Sequence, residues 1–78
     1  MSDLLIGETI LYWRKRHKKS QMELALEAGV STRHLSFIES GKSRPSRELI
    51  LCLAKVLNLP YRQSNVLLKA ARFAAVYY

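Results

Sequence analysis

Residues 21–40, "QMELALEAGVSTRHLSFIES", decide the fold. Two runs of helical spacing flank "GVS" at 29–31: Leu24, Ala25 and Ala28 share a stripe on the first, Leu35 and Ile38 on the second. Gly29 suits a helix end, where a left-handed backbone is cheap for glycine. Ser31 is of the type that caps the next helix. So short a turn forces the two helices to cross near a right angle. Ala25 must then be small where the following helix passes over it, Val30 must enter the angle, and Leu35 and Ile38 must anchor the second helix. These requirements together describe a helix-turn-helix.

Outward from this pair, the chain reads as helical throughout. A first helix is predicted from about Asp3 to His17, with Ile6, Ile10, Trp13, Arg14 and His17 as its inner face. Asp3 and Glu8 lie toward its N-terminal end and the cations at its C-terminal end, as the helix dipole favours. Ser20 and Glu23 have the spacing of a capping box at the start of the second helix. The third helix is predicted over Thr32 to Ser40, with Gly41 ending it. Pro45 interrupts the loop "GKSRPS", and Ser46 caps a fourth helix, "RELILCLAKVLN", with Ile50, Leu53, Ala54 and Leu57 inside. After "NLP", "YRQSNVLLKAARF" reads as a fifth helix with Leu67, Ala70 and Ala71 inside. The expected fold is all-α, a compact bundle of five short helices forming a single domain over 1–78. The motif falls at 21–40 and its second, exposed helix at about 32–40.

Composition narrows the function. At 78 residues the chain can bury roughly 60% of its unfolded surface, enough for one core but not for a large catalytic cleft. Hydrophobic residues make up 49% and charged residues 24%, which excludes disorder. The single cysteine, Cys52, cannot form an internal disulfide and fits a reducing compartment. No apolar run approaches the ~20 residues of a membrane span, and "MSDLLIGETILYWRKR" lacks signal-peptide order. A cytoplasmic protein is expected.

The formal charge of +7 favours a polyanionic partner, nucleic acid first. Five of the thirteen cations fall in "RKRHKK" at 14–19, and Lys42, Arg44 and Arg47 lie in and just after one loop. Such clustering at chain corners departs from a generic solubilising coat, and also from the single amphipathic face of a membrane-surface helix.

The stretch "SQMELALEAGVSTRHLSFIESGKSRPS" resembles the phage-repressor/Cro-like (XRE) helix-turn-helix family, over about Ile10 to Leu59. "RHLSFIESGKSRPSRE" and "LP…N.LL.AARFA" further resemble its MmyB-like subgroup, in which a PAS-like sensory domain usually follows. The chain stops where that domain would begin, so it is either a fragment or a stand-alone version. Lys19 departs from the pattern, since the family usually has an apolar residue before "SQ"; the corner between the first two helices is correspondingly more basic.

The resemblance implies a sequence-specific double-stranded DNA-binding domain of a bacterial or phage transcription regulator, with the third helix in the major groove. At about 100° per residue, Arg33 and Phe37 lie nearly opposite Leu35, flanked by Ser36, with Thr32 at the first turn. Thr32, Arg33, Ser36 and Phe37 are the candidate base readers: Arg33 for a guanine edge, Thr32 for a hydrogen bond or a methyl, Phe37 for thymine methyls. Phe37 could instead fold back onto a neighbouring helix, and Arg33 could serve as a solvated cation or a phosphate contact. The candidate phosphate contacts are Gln21 at the start of the second helix, Lys19, Ser31, His34, and the loop residues Lys42, Ser43 and Arg44. Glu39 falls on the inner face of the third helix and needs a partner there. The family pattern pairs it with Arg14, in a structural ion pair.

Leu49, Cys52 and Val56 form a second apolar stripe on the fourth helix, and Phe73, Val76, Tyr77 and Tyr78 add an apolar tail. These surfaces either cover one another within the monomer, or form a homodimer seam through helices 4 and 5, or seat the sensory domain. Two histidines and one cysteine do not meet the ligand count of a metal site. With no nucleophile–base pair and no Gly-rich phosphate loop, neither a cofactor nor catalysis is expected. The competing expectation is a protein-interaction module, of antitoxin or adaptor type, that retains the fold.

Overall fold

The computed structural model describes residues 2–72. They form α1 (Ser2–Arg16), α2 (Gln21–Ala28), α3 (Thr32–Glu39), α4 (Arg47–Val56) and α5 (Tyr61–Ala70), and no strand occurs among the described residues. α1 packs on α3 and α5, α2 packs on α3 and α4, and α4 packs on α5. The core where they meet contains Ile6, Ile10, Leu24, Leu35, Ile38, Ile50, Leu53, Leu57, Leu67 and Leu68, each at most 1% exposed. Burying each such side chain contributes about 1.5–3 kcal/mol. The hydrophobic effect therefore holds together helices of eight to fifteen residues, most of which would be marginal alone.

Local chemistry sets the helix boundaries. Three serines cap three helices: Ser20 Oγ accepts from Glu23 N, Ser31 Oγ from His34 N and Ser46 Oγ from Leu49 N, at 3.0, 3.0 and 3.1 Å. At α2 the capping box is complete, because Ser20 N donates in return to Glu23 Oε1 at 2.9 Å. The Ser20 hydrogen bonds, backbone first, hold the Glu23 carboxyl below its ordinary value of 4.5.

The C-terminal ends of α1 to α4 share another device. A residue with positive φ follows each helix (Lys18, Gly29, Gly41, Asn58), and the next amide donates back five residues. These bonds are Lys19 N to Arg14 O, Val30 N to Ala25 O, Lys42 N to Phe37 O, and Leu59 N to Ala54 O. This is the Schellman pattern, which satisfies carbonyls the helix leaves open.

Packing departs from the sequence reading in several places. His17 is exposed, not internal; it lies beside the Trp13 ring, centroids 6.4 Å apart, past the last turn of α1. Ala28 and Ala70 are half-buried, whereas Leu68, absent from the expected inner face of α5, is fully buried. The stripe Leu49, Cys52, Val56 is not an open surface. α4 lies against both α2 and α5, so its inner face is wider than one stripe. Leu49 joins the core, Val56 packs on it, and Cys52 is half-buried with Sγ 3.9 Å from Ala28 O on α2. Cys52 and Val56 keep part of their surface open. Phe73, Val76, Tyr77 and Tyr78 lie outside the described residues.

Gly7 goes unremarked in the sequence reading, yet it governs how α1 meets α3. It is buried, and a Cβ there would overlap the carbonyl oxygens of Ile38 and Glu39. Only a residue without a side chain lets the two backbones approach this closely.

Candidate nucleic-acid interface

α3 is held from beneath and presents its other side outward. Leu35 and Ile38 are fully buried, while Thr32, Arg33, His34 and Phe37 are exposed and Ser36 is half-buried. Phe37 does not fold back onto another helix; it is 38% exposed. Nor is it bare. The Arg33 guanidinium carbon lies 5.4 Å from its ring centroid and Lys42 Nζ 5.9 Å, both within cation–π range.

The loop after α3 hangs from the same residue. Phe37 O accepts from Lys42 N at 2.9 Å, Ser43 N at 3.2 Å and Ser40 Oγ at 3.1 Å. Gly41, at φ 82°, makes the reversal that aims these amides back. Lys42 is thus placed beside α3 by backbone geometry. Arg44, also exposed, donates through Nε to Asp3 Oδ1 at 3.0 Å, tying the loop to the first turn of α1.

Beneath α3 lies the polar anchor. Arg14 Nε and Nη2 donate to Glu39 Oε2 and Oε1 at 2.7 and 3.1 Å, a two-pronged pair with side chains 11% and 5% exposed. Arg14 Nη1 donates to Lys19 O at 3.0 Å and Gln21 Nε2 to Glu39 Oε1 at 2.8 Å. Four polar contacts therefore lock α1, the start of α2 and the end of α3 together, and no buried side-chain N or O among the described residues lacks a partner.

Gln21, which the sequence reading has reaching for a phosphate, gives one amide hydrogen to Glu39 and so also anchors α3. The run "RKRHKK" also splits. Arg14 goes inside, Lys19 Nζ pairs with Glu27 Oε1 at 2.8 Å, and Arg16 lies over Trp13 at 5.7 Å, while Lys15, His17 and Lys18 are exposed. Spacing puts Arg14 and Glu39 on inner faces and the family resemblance pairs them, but neither finds the third partner, because Gln21 joins only once α2 has crossed α3.

Among the described residues, no three His, Cys, Asp or Glu side chains gather as metal ligands, and no helix is long and apolar enough to cross a membrane.

A capped, outward-facing helix carried over its predecessor by a three-residue turn defines a helix-turn-helix protein. The XRE-type family described as helix-turn-helix matches residues 10–63, and the chain belongs to this family of DNA-binding regulators. No curated protein matches the chain, and no solved structure does.

Proposed function

We propose that this chain is a sequence-specific double-stranded DNA-binding domain of a bacterial or phage transcription regulator, acting in the cytoplasm without catalysis, and that residues 1–78 form one such domain. The carrying observation is α3 itself: Thr32, Arg33 and Phe37 face outward from a helix fixed by Leu35, Ile38 and Glu39. In the major groove these three, with Ser36, read base edges. Lys42, Ser43 and Arg44 grip the phosphates on one flank. On the other flank stand Ser31 and His34 at the start of α3, with Lys19 and Gln21. The Ser31 hydroxyl and the Gln21 amide each carry a hydrogen beyond the bonds described, available to phosphate. The MmyB-like wording of 33–48 supports a place for the chain in that subgroup. A dimeric complex would span half-sites about one helical turn apart.

Selection from random DNA, read at two salt concentrations, tests the reading. A preferred site that Arg33→Ala abolishes or relaxes is expected. Weak binding without sequence preference, lost as salt rises, would instead favour a protein-interaction module.

A further inference from the structure

We propose that Arg33 and Phe37 act as one reading unit for a guanine and a thymine on adjacent base pairs, with the thymine recognised through its 5-methyl group. The inference rests on the groove-reading role of α3 given above and adds which dinucleotide that helix selects.

The contact between the two side chains carries it. The guanidinium carbon lies 5.4 Å from the ring centroid, so the groups each touches in the groove must be neighbours. Base pairs rise about 3.4 Å per step. Adjacent pairs, with the sideways offset that twist adds, match the observed separation. Pairs two steps apart, at about 6.8 Å by the same spacing, would require the pair to come apart.

Chemistry assigns the two bases. The planar guanidinium matches the O6 and N7 acceptors of guanine, and a phenyl ring has no donor or acceptor with which to read any base polar edge. What the major groove offers an apolar ring is the methyl of thymine. Phe37 keeps 38% of its surface open for it. Stacking on the ring also limits the rotamers open to Arg33 before DNA arrives, so less ordering accompanies the guanine contact. Lys42, on the same ring at 5.9 Å, brings the phosphate-facing loop alongside that step.

Other surfaces carry less. The groove between α4 and α5, lined by Leu51, Ala54, Leu59 and Leu68, and the exposed Met22 and Leu26 of α2 are apolar, but nothing in the structure says what covers them.

The test uses the full chain and its selected site. Each thymine is replaced in turn by deoxyuridine, which removes one methyl and leaves the hydrogen-bonding edge intact. Deoxyuridine next to the essential guanine should weaken wild-type binding about fourfold, as expected for one buried methyl-sized group. The same change should not affect Phe37→Ala, whose folding is checked by circular dichroism. Arg33→Ala and Phe37→Ala should together cost less than the sum of their separate losses, because they act on one step. A selected site whose guanine has no neighbouring thymine overturns the inference, as does wild-type indifference to deoxyuridine there; in both cases the site preference, and with it the proposed function, still stands. Failure to select any site removes both.

Discussion

Gly7 gives the sharpest single-residue consequence. Helix propensity alone favours alanine over glycine by about 1 kcal/mol, so on an exposed helix Gly7→Ala would stabilise. Here the added methyl meets the Ile38 and Glu39 carbonyls, and overpacking of this kind costs about 1–3 kcal/mol or more. We expect a net loss of roughly 1–2 kcal/mol, read by urea denaturation, with DNA affinity falling as α3 is pushed off its seat. Glu23 offers a second residue-scale prediction. Its folded-state carboxyl is depressed by Ser20, so the capping-box contribution is present above the unfolded value and disappears as pH falls through the folded one. Glu23→Gln keeps an acceptor but does not titrate. Thermal midpoints followed from about pH 6 to about pH 3 should show wild type losing stability relative to the glutamine variant on the acid side.

At the scale of elements, the Arg14–Glu39 pair joins α1 to α3, and Gln21 and the Lys19 carbonyl draw in α2. Removing one partner leaves a buried charge uncompensated, at about 3–5 kcal/mol. Arg14→Met and Glu39→Leu should each destabilise by roughly that amount, while the double variant should be more stable than either single one, as chemical denaturation of the four proteins would reveal. What the sequence discloses follows the same scale. Caps and stripes are local properties, so Ser20, Ser31 and Ser46, the five helices and the inward Leu35 and Ile38 can be read from spacing. Gly7 and Gln21 acquire their roles from how closely one helix meets another, which no single helical period encodes. Leu49 and Leu68 look peripheral until α4 is seen to serve two neighbours. Lys18 sits at positive φ with a side chain that gives no hint of it; glycine and asparagine mark the equivalent ends of α2, α3 and α4.

For the molecule as a whole, the +7 charge is unevenly available. Arg14 is buried against Glu39, and Lys19 and Arg44 share surface ion pairs with Glu27 and Asp3 that a phosphate can replace, whereas Arg33 and Lys42 flank Phe37 on the outward side of α3. Binding should therefore depend on a few placed cations more than on total charge. Lys42→Ala is expected to weaken all DNA sequences alike and to lower the slope of log affinity against log salt by about one; titrations at several salt concentrations on selected and scrambled duplexes measure both. A changed site preference would place Lys42 among the base readers. The carbonyl of Phe37 has a wider consequence. It closes the Lys42–Ser43 loop, and every amino acid carries the same carbonyl, so the backbone closure of the loop does not depend on the side chain at 37. On the proposed reading, exchanging that one side chain should change the preferred operator while the backbone that carries the phosphate-facing loop keeps its closure.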